Sequence, residues 1–244
     1  MSAISAKPLS VQLINMSLII GSKYTDEINE LRQLGYDVIT FSPPENLDSE
    51  ISSHADINIL RLCDGTLFIN ESIKDERGEA VSPYRRVSVK DVFSPYPNDV
   101  KLNAALIGNN LMCNTKYVAK EVLQYAEKNN IRIIHTNQGY SKCSVCIVNN
   151  NAVITADDSI ASLLKKYQID VLKITEGNIC LSKDHYGFIG GSSGKLNDNE
   201  IYFSGDLSSH PDYGRIIEFL DKYHVKPIFN KNRKLNDFGG FVKI

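Results

Sequence analysis

The sequence predicts a mixed α/β fold in which five strand–turn–strand–helix–strand units close into a ring. Three observations carry this. One pattern of apolar runs recurs along the chain, and the second strands of its copies end at Gly21, Asn70, Asn114, Thr155 and Ser204, spaced by 49, 44, 41 and 49 residues. Such a period marks a repeat architecture in which one copy cannot bury its own apolar face. The last segment, Phe238-Gly-Gly-Phe-Val-Lys-Ile244, is short, apolar and strand-like, so it can pair with the first unit instead of leaving an open end.

The first unit, 9–42, reads as Leu9-Ser-Val-Gln-Leu-Ile, a turn at Asn15-Met16, Ser17-Leu-Ile-Ile20, a helix through Leu34 and the strand Val38-Ile-Thr-Phe41. The second, 54–92, has Asp56-Ile-Asn-Ile-Leu and Thr66-Leu-Phe-Ile69 around Asp64-Gly65, a strong hairpin signal. Its helix is missing or degenerate, since residues 71–80 are charged and contain Gly78. The third, 99–136, is the clearest: Leu102-Asn-Ala-Ala-Leu-Ile, Asn109-Asn110, Leu111-Met-Cys113, a helix capped at Asn114 or Thr115, and Ile131-Arg-Ile-Ile-His135. The fourth, 141–175, runs from Cys143 to Val148, turns at Asn149-Asn-Asn151, continues as Ala152-Val-Ile-Thr155 and has a helix from Asp157 or Asp158. The fifth, 186–230, has Gly187-Phe-Ile-Gly-Gly191, Ile201-Tyr-Phe203, a helix opened by Pro211 and the strand Val225-Lys-Pro-Ile-Phe229. Residues 238–244 close the ring, and 1–244 is expected to form a single domain. An ordinary open α/β sheet is the plainer alternative.

The 27 basic and 29 acidic side chains of the 244 residues leave a net charge of −2, so neither nucleic acid nor an acidic membrane is an expected partner. The longest apolar run near the start, Leu18-Ile-Ile20, is too short for a membrane span or a signal segment. Five cysteines, mostly within apolar runs, suit a reduced, cytoplasmic protein. Cys143-Ser-Val-Cys146 lacks a second pair, and in a strand its thiols would face opposite ways, so no metal is expected there, and no cofactor motif is present.

Five such units in a ring resemble the pentein β/α-propeller of the guanidine-modifying enzymes. Five segments look similar to an uncharacterised bacterial family of that superfamily: Ser53-His-Ala-Asp56, Tyr96-Pro-Asn-Asp99, Gln138-Gly-Tyr-Ser-Lys-Cys143, Tyr186-Gly-Phe-Ile-Gly-Gly-Ser192 and Leu235-Asn-Asp-Phe-Gly-Gly240. The resemblance implies a cysteine nucleophile near the C-terminus after a Gly-rich stretch, a His-x-Asp or His-x-Glu motif, and carboxylates that hold a guanidinium. This chain departs from it: Gly239-Gly240 is followed by Phe241, Val242 and Lys243, with no cysteine. His54-Ala-Asp56 matches His-x-Asp but lies in the second unit, earlier than in the enzymes.

In such a ring the polar residues at the starts of the first strands converge on one mouth. They are His54, Asp56, Asp99, Asn103, Lys142, Cys143, Ser192, Ser193 and Asp237. Cys143 is the provisional nucleophile, with Lys142 to lower its pKa and His54 as base, oriented by Asp56 on the same strand face. The others are substrate-binding candidates. Each also has a plain structural reading: Cys143 as a small residue in a tight strand, His54 as a strand-end cap, Asp99 as a turn residue. Gly190-Gly-Ser-Ser-Gly194 lacks the Lys-Ser/Thr ending of a phosphate loop. Two functions remain open. One is a small-molecule pocket, with hydrolysis or transfer at an amidine, guanidine or amide carbon if catalytic. The other is a rigid scaffold for a protein or ribonucleoprotein partner. The oligomeric state cannot be read from the sequence.

Overall fold

A computed structural model describes residues 17–75, 85–183 and 185–244. The first unit contains β1 (Ser17–Gly21), α1 (Thr25–Gln33) and β2 (Asp37–Ser42). The second has α2 (Ala55–Asn58), β3 (Ile59–Arg61), β4 (Leu67–Asn70), β5 (Lys74–Asp75) and β6 (Arg86–Val89), and the third β7 (Ala105–Ile107), β8 (Asn110–Cys113), α3 (Lys120–Lys128) and β9 (Arg132–His135). The fourth is β10 (Val145–Asn149), β11 (Ala152–Thr155), α4 (Asp158–Lys166) and β12 (Asp170–Lys173). The fifth is β13 (Ser193–Asn197), β14 (Glu200–Phe203), α5 (Tyr213–Lys222) and β15 (Lys226–Phe229), and β16 (Val242–Lys243) ends the chain.

Every unit repeats one small sheet: a middle strand pairs antiparallel with the strand before it and parallel with the strand after it. In the first unit β16 is the antiparallel partner of β1, with Ile19 opposite Val242 and Leu18 opposite Lys243. The middle strands end within one residue of where the repeat spacing placed them, at Gly21, Asn70, Cys113, Thr155 and Phe203. Helices α3, α4 and α5 each bury one stripe (Val122, Tyr125 and Ala126; Ile160, Ala161 and Leu164; Ile216 and Leu220) and leave a polar face outside. Asp157 caps α4 by accepting from the Ile160 N–H, as the sequence indicated.

The core is divided among the joints between units. Five apolar clusters join units two and three, three and four, four and five, five and one, and one and two. Each unit thus lends an apolar face to both neighbours, and the circle is complete: a five-unit ββαβ propeller with pseudo-fivefold arrangement.

Several boundaries differ from the sequence reading, for a common reason. The first strands start late because the residues ahead of them turn across the axis. Asp56-Ile-Asn58 is the helical turn α2, not a strand, and the Asn58 amide donates back to the Ser52 and His54 carbonyls. Leu102-Asn-Ala104 and Cys143-Ser144 precede their strands, and Gly187–Gly191 leads into β13 without belonging to it. Asn114 and Thr115 do not cap α3: Asn114 forms an Asx turn with the Lys116 N–H, and the helix starts at Lys120. Pro211 lies just ahead of Asp212, the residue preceding α5. The expected strand at 9–14 and its turn at Asn15-Met16 lie outside the described residues, as does 76–80; the described half of the stretch read as a missing or degenerate helix is a turn leading into β5.

Candidate functional site

The five turns ahead of the innermost strands meet at the axis in a closed circuit of hydrogen bonds. The Asn103 amide donates to the Asp56 carbonyl, and the Lys142 N–H donates to the Asn103 side-chain oxygen at 2.7 Å. The Gly191 N–H donates to the Cys143 carbonyl, the Phe238 and Gly240 N–H groups to the Gly191 carbonyl, and the Asp56 N–H to the Gly239 carbonyl. The approach is close enough to require glycine at two places. A Cβ on Gly191 would stand 2.0 Å from Asp237 Oδ1, and one on Gly239, whose φ is +71°, would stand 2.3 Å from His54 Cβ.

Inside this circuit sit His54, Asp56, Asn103, Cys143 and Asp237, all buried. The Cys143 thiol donates to Asp56 Oδ2 at 3.1 Å and accepts from Asn103 Nδ2 at 3.0 Å. His54 Nδ1 lies 3.7 Å from Asp237 Oδ1 and 3.9 Å from Asp56 Oδ1. Asp237 is itself held by the Phe188 and Gly239 N–H groups, at 2.8 and 3.0 Å. Two polar atoms of these five side chains have no hydrogen-bond partner in the protein, His54 Nε2 and Asp56 Oδ1.

Burial, reinforced by the neighbouring Asp56 and Asp237 carboxylates, holds the Cys143 thiol well above its ordinary range. The sequence reading had Lys142 lowering it. Lys142 does pull in that direction, but burial and two carboxylates outweigh one ammonium. Burial likewise raises Asp56 against the pull of Lys142 and His54. The thiol–carboxylate pair therefore keeps its proton at neutral pH. The group that hydrogen-bonds the thiol is Asp56, on the helical turn α2, with the His54 imidazole beside that carboxylate at 3.9 Å.

Two openings flank this centre. One is a cleft of about 380 Å³ lined by His54, Asp99, Cys143 and Asp237, by Asp48 and Glu50, and by the rings of Tyr96, Tyr140 and Phe188. No lysine or arginine lines it among the described residues. Asp99 accepts from the Tyr140 hydroxyl at 2.8 Å, and burial raises its carboxyl despite that bond. The other opening, of about 290 Å³, is lined by Lys142, Ser193, Arg61, Lys195 and Lys243. Of the sequence candidates, the structure brings His54, Asp99, Cys143 and Asp237 to the cleft and places Asn103 behind them as their scaffold. Lys142 donates instead to the Gly190 carbonyl at 3.2 Å and faces the second opening. The hydroxyls of Ser192 and Ser193 are turned back onto the Ile189 and Gly190 carbonyls. Sequence reasoning missed the aromatic wall and the two outer carboxylates. Tyr96 and Tyr140 lie within the family-like segments around Asp99 and Cys143, so a signal was there.

Residues 19–242 match the family described as Family of unknown function (DUF6873). The chain belongs to that family. No curated protein is significantly similar to this member in sequence. Solved structures are similar in fold. Agmatine deiminase from C. jejuni with substrate bound matches with a TM-score of 0.53 and 11% identity, over 93% of this chain and 92% of that one. A dimethylarginine dimethylaminohydrolase from Pseudomonas aeruginosa complexed with citrulline has a TM-score of 0.51 and 11% identity, over 87% and 91%. The inosamine-phosphate amidinotransferase of Streptomyces griseus gives 0.52 and 10%, over 88% and 76%. This member of the family therefore has the pentein fold of the guanidine-modifying enzymes.

Proposed function

We propose that the cleft binds a small polar molecule of the guanidine, amidine or amide class, with a planar cation the best fit, and that Cys143 is placed to attack its central carbon. The observation that carries this reading is the cleft's lining: carboxylates at Asp48, Glu50 (paired with His185 at 3.0 Å), Asp99 and Asp237, faces of Tyr96, Tyr140 and Phe188, and, among the described residues, no lysine or arginine, all beside a thiol. Planar cations pair with carboxylates through two parallel hydrogen bonds and lie on aromatic faces. The three guanidine-modifying enzymes above supply the precedent for such a ligand in this fold.

The chemistry follows from the geometry. A bound cation offsets the field of Asp56 and Asp237 that keeps the thiol protonated, so binding itself favours the thiolate. The sulfur–carbon bond forms as the thiol proton passes to Asp56, 3.1 Å away. Collapse of the adduct expels an amine carrying a proton, and water or a second amine then takes the carbon from sulfur. The nucleophile that the enzymes carry after their C-terminal glycines is replaced here by a thiol on the fourth unit. Lys243 lines the opposite opening.

The scaffold reading has less to support it. Among the described residues the exposed large hydrophobics are Leu34 (46%), Tyr96 (45%) and Tyr186 (73%), and the two tyrosines rim the cleft instead of forming an apolar patch. Five free cysteines fit a reducing, cytoplasmic setting, and no described helix is long and apolar enough to cross a membrane.

A thermal-shift screen against guanidino compounds, amino acids and small amides tests the reading. A ligand at a hundredfold excess over its Kd should raise the melting temperature by about 5–10 °C. Asp99→Asn should abolish the shift, and Cys143→Ser should keep binding and lose turnover. No shift with any compound sinks the binding assignment, and turnover in Cys143→Ser sinks the nucleophile.

A further inference from the structure

We propose that His54, Asp56 and Cys143 also form a binding site for a zinc ion, with its fourth position open to the cleft. The donor atoms of the three side chains lie within 4.8 Å of one another. Their residues are 2%, 6% and 2% exposed. Zinc takes nitrogen, oxygen and sulfur donors at about 2.0–2.3 Å in a tetrahedron, which sets its ligands about 3.3–3.6 Å apart. The thiol stands 3.1 Å from the Asp56 carboxylate, just inside that spacing, and the unpartnered His54 Nε2 offers the third donor, with Nδ1 turned to the carboxylates.

Three further features fit a cation at this point. Asp56 Oδ1 and His54 Nε2 are buried without protein partners, so both are free to bind a ligand that would satisfy them. Asp237 stands 3.7 Å from His54 Nδ1, where a carboxylate orients and polarises a ligating imidazole. Asn103 donates to the sulfur at 3.0 Å, a bond that stabilises a thiolate. A set of one thiolate, one imidazole and one carboxylate suits zinc better than magnesium or calcium, which take oxygen ligands. As the sulfur–metal bond forms, the thiol proton leaves to solvent. The site differs from the Cys143-x-x-Cys146 pair: Cys146 is on β10 and lines the other opening.

The inference uses the thiol that the organic-cation reading also uses, so the two are tested apart. The full chain, stripped with EDTA, is titrated with zinc and, for its spectrum, with cobalt. The expected result is one equivalent bound, with a thiolate-to-cobalt charge-transfer band and the intense visible bands of four-coordinate cobalt. Cys143→Ser should remove the charge-transfer band, His54→Ala and Asp56→Asn should weaken binding at least about tenfold, and Cys180→Ser, at an exposed cysteine, should change nothing. The wild-type spectrum stands even if a core variant fails to fold. Absence of stoichiometric binding, octahedral cobalt, or a band that survives Cys143→Ser overturns the proposal. A melting-temperature shift by a guanidino compound in EDTA-treated protein that binds no metal leaves the organic-cation reading intact.

Discussion

Asn103 organises the centre at the scale of single side chains. Its amide nitrogen holds the Asp56 carbonyl and the Cys143 sulfur, while its oxygen takes the N–H groups of Lys142 and Cys143. It is 1% exposed, so its partners have no water to turn to when it is lost. Asn103→Ala should therefore cost about 1–3 kcal/mol, the penalty of stranding buried polar groups. Urea denaturation measures it. The same variant should lose ligand binding in the thermal-shift screen, because the turns bearing Asp56 and Cys143 are no longer tied together. Unchanged stability and binding would show that the circuit tolerates a gap. Asp99 works differently: it makes one bond to Tyr140 from the cleft wall, so its removal should be felt by a ligand and hardly by the fold.

Among the elements, the turn Gly187–Gly191 shows why the axis needs small residues. Gly190 faces the carbonyls of Lys142, Val145 and Cys143, and Gly191 faces the Asp237 carboxylate. A methyl group at Gly191 must push Asp237 away from the N–H groups of Phe188 and Gly239 that hold it. Gly191→Ala should cost about 1–3 kcal/mol, as overpacking of a close-packed site does, seen as a lowered melting temperature. Gly214→Ala, in α5 where a Cβ meets no other atom, is the control and should cost nothing or raise the melting temperature slightly. Equal behaviour of the two would mean that Asp237 moves freely.

The whole molecule is held by its joints, and some of them are ionic. Arg233 reaches across from the fifth unit to Glu27 and Glu30 of α1 at 2.8 and 3.1 Å. Asp212, ahead of α5, accepts from the Thr175 N–H at the end of the fourth unit and pairs with Arg215. Burial pushes the Asp212 carboxyl up, but those bonds more than offset it and bring it down to about 2 from the usual 3.8. A carboxylate whose folded pKa is depressed adds stability that is complete above the unfolded pKa and fades as pH falls through the folded one. Wild type should thus melt higher than Asp212→Asn at pH 6, and the difference should shrink between about pH 4 and pH 2. A gap independent of pH would show that the Asp212 charge is not what joins the two units.

The sequence by itself determined the units and the ring. Hairpin turns and apolar runs locate most of the strands, the regular spacing of their ends reveals the repeat, and the apolar C-terminal segment is legible as a partner for the first unit. These are local signals, written in neighbouring residues. Most of the site's membership was legible too, since polar residues ahead of inner strands have nowhere to go but the axis. The tertiary structure alone decided which of them meet. It placed Asp56 on a helical turn and made it the hydrogen-bond partner of the Cys143 thiol. It sent Lys142 to the far opening and surrounded the sulfur with carboxylates, reversing the expected direction of its pKa. It also built the aromatic wall from Tyr96, Tyr140 and Phe188, which lie in three separate stretches of the chain. Side-chain direction, burial and field depend on groups far apart in the chain, and a linear pattern carries no record of their distances.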